Sequence, residues 1–228
     1  MSYAGGIVMV TVGRSRQKLF EIYDRIALGA IGHPGDIERL RMSAIELAST
    51  EGFTRSAADV SLRRLAFYSL SPVLKAAFEQ IYGAPYLARM LFAEIGGSVA
   101  EDLFLRVEYD GAIVANAGLH GVAQQHFGVV SATAASTELM ESFLQEKHDP
   151  AATLPKALEL ACDAWTIGKL ALGDDGIREL PDKSAIASER RKQIDTSAVE
   201  AAVLDRDAKL PIRYRSLGAD DLKALKSS

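Results

Sequence analysis

The side chains whose types could do chemistry are few and widely spaced. Histidine is suited to proton transfer near neutral pH and to metal binding, and the chain contains His33, His120, His126 and His148. The nearest pair, six residues apart, is separated by Gly121 and lacks the spacing that places metal ligands on one helix face. We therefore expect surface or hydrogen-bonded histidines, and no metal site.

The cysteine and glycine patterns exclude further kinds of catalytic and binding site. Cys162 is the only cysteine, which excludes an internal disulfide and a multi-cysteine metal site. It lies in the apolar pattern of a predicted helix, so we expect a buried structural thiol. The sequence has neither the Gly-x-Ser-x-Gly turn of serine hydrolases nor a phosphate-binding loop ending in Lys-Ser or Lys-Thr. No cofactor is expected.

The net charge and the hydropathy pattern limit the classes of partner that the protein can bind. A formal net charge of −4 with interspersed signs gives no basic field of the kind that nucleic-acid binding requires. The longest apolar stretches, 26–31 and 87–95, are far shorter than the roughly 18 residues of a membrane span. The first residues lack the basic segment and apolar run of a signal peptide. We expect a cytoplasmic protein that binds neither nucleic acid nor membrane.

The elements that must position these residues begin with strands. Residues 7–12 follow Gly5 and Gly6 and are nearly apolar on both faces, which predicts a strand buried between two layers. Residues 18–23 and 26–32 predict two further strands joined by a turn. The next element is a helix from Pro34, with Gly52 as its C-terminal cap.

The second helix begins with a capping pattern at 56–59 and should run to Tyr82, with a kink at Pro72. Strands are predicted next at 87–95 and 103–108, and Asp110 and Gly111 then favour a tight turn. The remaining predictions in this region are a strand at 126–132, a helix capped by Ser136 or Thr137, and a long helix at 153–172.

The polar residues 173–197 predict an exposed connection with one helical turn near 188–192. Two final strands are predicted at 199–204 and 210–214, before a short terminal helix. This order of strands and helix pairs excludes a doubly wound parallel sheet. Two antiparallel sheets packed face to face, with helices outside, explain the two-sided apolar strands. We therefore predict a single α+β domain spanning residues 1–228.

Several strings, in order and at matching spacing, resemble proteasome α-type subunits of the bacterial, actinobacterial kind. The resemblance runs over nearly the whole chain and is densest at 17–26, Gln-Lys-Leu-Phe-Glu-Ile-Tyr-Asp-Arg-Ile, followed by Gly-Ala-Ile-Gly at 29–32. Further matches lie at 36–41, 82–83, 109–113 and 197–205. The resemblance implies a four-layer αββα sandwich of the N-terminal nucleophile hydrolase type.

One departure from the family lies at the start of the sequence. Subunits of this family have an N-terminal extension, a helix and a first strand before the glycine turn, whereas this sequence starts at that turn. We expect the usual helix and first strand to be lacking, gating by that segment to be in doubt, and a sheet edge to be unpaired.

Catalytic relatives of this fold use an N-terminal threonine whose own amine acts as general base. Here removal of Met1 would expose Ser2, but Ser2 lies only three residues before Gly5, at the wrong end of the strand. The acidic residue that the relatives carry at the end of the 7–12 strand is replaced by Val12. We expect no catalytic residue. A catalytic N-terminal nucleophile peptidase using Ser2, and a stand-alone binding domain, remain as alternatives.

The resemblance implies a structural and regulatory subunit. Seven copies would form an outer ring that gates substrate entry, stacks on proteolytic β subunits and binds a ring ATPase or other activator. Lys18 matches the family's pocket lysine between neighbouring α subunits, where it would receive the carboxylate of the activator's C-terminal tail. Gly32 would allow close approach of the backbone in the same pocket.

Overall fold

Two antiparallel sheets form the centre of the molecule. The computed structural model describes residues 1–13, 17–115, 125–173, 179–193 and 199–226. The described strands are β1 (Ser2–Tyr3), β2 (Gly6–Val12), β3 (Leu19–Tyr23), β4 (Ile26–Gly32), β5 (Ala88–Glu94), β6 (Leu103–Val107), β7 (Ile113–Ala115), β8 (Val199–Asp205) and β9 (Tyr214–Ser216). One sheet has the order β1-β2-β8-β9 and the other β3-β4-β5-β6-β7.

Helices cover the outer faces of the two sheets. The described helices are α1 (Pro34–Thr54), α2 (Leu62–Arg64), α3 (Ser71–Phe78), α4 (Ala134–Lys147), α5 (Leu154–Gly173) and α6 (Lys183–Gln193). A π-helical segment, Leu65–Leu70, joins α2 to α3. None of the described helices is long and apolar enough to cross a membrane.

The alternation of side chains along the strands separates the cores of the layers. In β4, Ile26 and Leu28 pack with α1–α3, whereas Ala27 between them packs against the other sheet. In β2, Val8 packs under α4 and α5, and Ile7 and Met9 lie between the sheets. Successive strand residues point to opposite faces, so each strand contributes to two cores. The predicted four-layer αββα sandwich is confirmed.

Most predicted strands are confirmed, with differences at the ends of the chain. β2 pairs with β8 along its whole length, from Gly6 opposite Asp205 to Val12 opposite Val199. Two residues before the glycine turn already form a strand, β1, which pairs with the start of β2. The last strand lies at Tyr214–Ser216 and not at 210–214, because Leu204 pairs with Tyr214 and the ladder proceeds from there.

Two predictions about where helices end are wrong. Gly52 does not cap α1, which continues to Thr54; a Cβ at Gly52 would lie 2.1 Å from the hydroxyl oxygen of Tyr23, so glycine is needed for packing. The second helix ends at Phe78 and not at Tyr82. Before Pro72 the helix widens, and the Ser71 N–H bonds to the Ala66 carbonyl five residues back. This widening is how the helix accommodates a proline ring in its interior.

The segment 126–132 forms no strand where one was predicted. Its carbonyl oxygens do not form a strand ladder. The His126 carbonyl accepts the Ser2 N–H, and the Val129 carbonyl accepts a hydrogen bond from the Arg106 guanidinium. The Ser131 carbonyl accepts from Arg89. Thr133, and not Ser136 or Thr137, caps α4, since its hydroxyl accepts the Ser136 N–H at 3.1 Å.

The stretch 173–197, expected to be an exposed connection with one helical turn, contains the eleven-residue helix α6. Ile186 on this helix is buried with Leu139, Ile167 and Ala171. Arg190 forms ion pairs with Glu159 and Asp163 of α5, at 3.2 and 3.0 Å. The buried Ile186 and the ion-paired Arg190 therefore both help to hold this polar helix against α4 and α5.

Candidate functional site

Lys18 lies immediately before β3, where the chain enters the five-stranded sheet. Its ammonium donates to the Val12 carbonyl oxygen at 3.1 Å, and its own carbonyl oxygen accepts the Ala30 N–H at 3.3 Å. The side chain is half-buried. An ammonium has three hydrogens to donate, so the hydrogen bond to Val12 leaves donors that can meet a carboxylate.

Glu200 of β8 reaches across from the other sheet to the backbone of Lys18. Its two carboxylate oxygens accept the Lys18 N–H at 3.0 and 2.9 Å, and one of them accepts the Leu19 N–H at 2.8 Å. Tyr214 of β9 adds a second link, because its hydroxyl donates to the Leu19 carbonyl at 3.1 Å. The start of β3 is thus held by the four-stranded sheet as well as by its own.

Lys18 borders a cavity of about 430 Å³. The cavity lies between the edge of β2, the inner face of the five-stranded sheet, and helices α4 and α5. Its walls are mainly apolar and include Val10, Ala30 and Trp165. Lys169 of α5 is a second cation on its lining and is exposed. The site therefore combines an apolar interior with two ammonium groups.

Gly32 lies at the end of β4, two residues beyond Ala30. Its φ of +133° is one that residues with a side chain rarely adopt. A Cβ there would lie 2.0 Å from the Leu87 carbonyl oxygen, which is backbone and cannot turn aside. The glycine is required by the approach of the chain entering β5, and its predicted part in docking stays a prediction.

Ser2 is fully buried beneath Met1 and makes structural contacts. Its hydroxyl donates to Asp102 at 2.7 Å, and Asp102 also receives two hydrogen bonds from Arg206, at 2.9 and 2.8 Å. The guanidinium balances the charge of the carboxylate, and with Met1 in place no solvent reaches the hydroxyl. This environment does not favour the alternative in which Ser2 is a nucleophile.

Neither Cys162 nor any histidine within the described ranges lines the cavity beside Lys18. His33 is exposed before α1, and its Nδ1 lies 3.9 Å from Asp36. The Nε2 of His148 lies 2.8 Å from the Ser2 carbonyl oxygen, and burial lowers the pKa of its imidazole. Cys162 is fully buried, as predicted, and burial raises the pKa of its thiol to about 12. His120 lies outside the described residues.

Sequence reasoning proposed Lys18 as a site residue and did not single out Glu200, Asp102 or Arg206. Glu200 carried a usable signal, since it is an acidic residue between the apolar Val199 and Ala201 of β8. A charged side chain in a buried strand needs a partner. Asp102 and Arg206 carried none, because they come from separate turns, more than 100 residues apart, that only the fold brings together.

The face-to-face antiparallel sheets with helices on both outer faces define an α+β sandwich consistent with the fold of proteasome subunits. No protein-family profile matches the chain. Among individual proteins, the chain is 31% identical over 227 residues to proteasome subunit alpha of a Nocardioides species, covering 99% of this chain and 77% of the relative.

Two other relatives agree. The chain is 31% identical to proteasome subunit alpha of Streptomyces coelicolor, with 100% of this chain and 79% of the relative covered. The chain is 32% identical to proteasome subunit alpha of Kineococcus radiotolerans, with 90% of this chain and 77% of the relative covered. The chain belongs to the proteasome subunit alpha family.

Proposed function

We propose that this chain is a non-catalytic outer-ring subunit that docks activators through Lys18. The observation that carries the proposal is the Lys18 ammonium, which is held by the Val12 carbonyl on the border of the cavity and retains donors for a carboxylate. A C-terminal tail offers a carboxylate on an extended backbone, and a charge-assisted hydrogen bond would anchor it.

Assembly is the second part of the proposal. We place seven copies in a ring that stacks on β subunits, which carry the catalysis, and that gates substrate entry to them in the cytoplasm. The support is membership of the proteasome subunit alpha family and the large apolar side chains exposed on the outer helices. The buried and ion-paired surroundings of Ser2 support a subunit that does not cut peptide bonds itself.

Co-expression with the β subunit of the same genome tests assembly. Native mass spectrometry should give a large stacked particle whose peptidase activity disappears when the β-subunit nucleophile is replaced. A chain that remains monomeric beside its β subunit would contradict the proposal. Covalent labelling of Ser2 by an active-site-directed probe would instead establish a catalytic subunit.

The docking prediction uses the assembled particle and a peptide with the C-terminal sequence of the ring ATPase of the same genome. Lys18→Ala should weaken binding of this peptide at least about tenfold, since a hydrogen bond to a charged group contributes about 1.5–3 kcal/mol. Fluorescence anisotropy would measure the affinity.

Two controls accompany this measurement. Amidating the C-terminus of the peptide should reproduce the loss in the wild-type particle, because the carboxylate is removed. Lys169→Ala, which removes the other ammonium group on the cavity lining, should leave the affinity within about twofold. Equal losses from the two lysine variants would indicate nonspecific charge attraction and contradict docking at Lys18.

A further inference from the structure

Glu200 makes an unusual contact with the backbone that carries Lys18. In a regular strand, successive N–H groups point to opposite sides. Here the N–H groups of Lys18 and Leu19 both point at the Glu200 carboxylate, at 2.8–3.0 Å. The chain is therefore bent at Lys18, and the carboxylate occupies the concave side of the bend, as an anion does in a backbone nest.

This bend determines where the Lys18 side chain starts. The backbone of Lys18 is held on one side by Glu200 and on the other by the Ala30 N–H, which bonds to its carbonyl. With the backbone fixed, the ammonium reaches the Val12 carbonyl at the cavity border. Bonds from N–H groups to a carboxylate are charge-assisted and stronger than bonds between neutral groups.

The contact also joins the two sheets, since Glu200 lies in β8 and Leu19 in β3. The Tyr214 hydroxyl makes a comparable link between the sheets, because it donates to the Leu19 carbonyl oxygen at 3.1 Å. Tyr214 holds the same strand from the same sheet but makes no bond with Lys18 among the contacts described. The pair of residues therefore allows the two roles to be separated.

We propose that Glu200 is a positioning residue for the docking lysine: it fixes the backbone of Lys18 so that the ammonium is aimed at the incoming carboxylate. This inference rests on the proposed docking function of Lys18. Glu200 itself does not touch the peptide and acts only through Lys18.

A double-mutant cycle on the assembled particle tests the inference with the ATPase-tail peptide. Glu200→Ala should lower the affinity about tenfold, and Glu200→Gln about threefold because its amide oxygen still accepts one N–H. In the Lys18→Ala background neither change should lower the affinity further. Tyr214→Phe, the structural control, should leave the affinity within about twofold.

Reductive methylation of the protein without peptide gives a second readout. Glu200→Gln should change the labelling rate of Lys18 severalfold, whereas the rates of exposed lysines such as Lys169 stay the same. This readout does not require docking. If the wild-type particle does not distinguish the carboxylate peptide from the amidated one, the docking function fails, and methylation alone then decides whether Glu200 orients Lys18.

Either of two results overturns the inference. One is that Glu200→Ala weakens peptide binding by the same factor in the wild-type and Lys18→Ala backgrounds, which would mean a general structural effect. The other is that Glu200→Gln leaves both the affinity and the methylation rate of Lys18 unchanged. If Glu200→Ala does not fold, the Gln variant carries the same comparison.

Discussion

Glu108 is the centre of an ion-pair network between the five-stranded sheet and the helix layer above it. Arg89 and Arg106 both donate to its carboxylate, and the same two arginines reach the carbonyl oxygens of Ser131 and Val129. Burial by itself would raise the pKa of the Glu108 carboxyl, but the two guanidinium groups outweigh it and the pKa is lowered. The network therefore holds the segment 126–132 where no strand ladder does.

The lowered pKa predicts a pH-dependent contribution to stability. An acid with a lowered pKa in the folded state stabilises the fold above its unfolded pKa, and the contribution is lost as pH falls through the folded value. Glu108→Gln should destabilise the protein by about 1–3 kcal/mol at pH 7, because a charged partner of two arginines is removed. The difference from wild type should shrink as pH falls below about 4.5.

Urea unfolding at a series of pH values measures this difference. Glu38→Gln is the matched control, because Glu38 pairs with Arg41 at an exposed position on α1. Its removal should cost less than about 1 kcal/mol. A Glu108→Gln penalty that persists undiminished at low pH would show that packing, and not charge, is responsible.

At the scale of elements, the contact between α1 and β3 explains a glycine inside a helix. A Cβ at Gly52 would lie 2.1 Å from the hydroxyl oxygen of Tyr23 and 2.9 Å from its Cζ. Gly52→Ala should therefore destabilise the protein by about 1–3 kcal/mol through overpacking, although alanine is favoured over glycine in helices by about 1 kcal/mol.

A second substitution separates packing from helix propensity. Tyr23→Phe removes the atom nearest to the new Cβ, so the double variant should recover part of the stability lost by Gly52→Ala. Thermal unfolding of the wild type, the two single variants and the double variant measures the coupling free energy between positions 23 and 52. A stabilising Gly52→Ala would mean that the helix shifts freely and that the tight contact does not constrain α1.

Strands were predictable from sequence wherever their side chains alternate between two cores, as in β2 and β4. The same apolar composition at 126–132 predicted a strand wrongly, because arginines from β5 and β6 satisfy its carbonyl groups. Such contacts between distant residues leave no local pattern. Gly52 and the bounds of α6 were missed for the same reason: Tyr23 explains the glycine, and Glu159 and Asp163 hold Arg190.

The candidate site likewise has features that the sequence predicted and features that only the structure shows. The docking role of Lys18 is a prediction from the resemblance, and the sequence did not show that Glu200, 182 residues further along the chain, accepts the Lys18 N–H. Gly32 was expected to serve docking, but the approach of the Leu87 carbonyl already requires glycine there. A resemblance picks out a position in the sequence, whereas the contacts made by its backbone and side chain can be read only from the fold.

At the scale of the whole molecule, large apolar side chains remain exposed on the outer helices and the segments that follow them. Ile81 and Tyr82, just after α3, are 90% and 95% exposed. Replacing both with serine should leave the melting temperature of the isolated chain nearly unchanged, because neither is packed in the fold. The same replacement should reduce the fraction of chains in the assembled particle, since exposed apolar patches mark interaction sites.

Analytical ultracentrifugation with the β subunit present measures that fraction. Gln80→Ser, a change at a neighbouring exposed polar residue, is the control and should assemble like the wild type. Unchanged assembly of the double serine variant would show that this surface stays outside the contacts between subunits.

The cavity beside β2 has a mechanical consequence for the fold. About 430 Å³ between the layers is not filled by the chain's own atoms, and this space opens to the surface beside Lys18. Hydrostatic pressure favours the state of smaller volume, and unfolding eliminates the part of this space that water does not already fill. We expect unfolding at moderate pressure, followed by tryptophan fluorescence from Trp165 on the cavity wall. Ala164→Leu, which adds side-chain atoms at the cavity lining, should raise the midpoint pressure, because less empty volume then remains to be lost on unfolding.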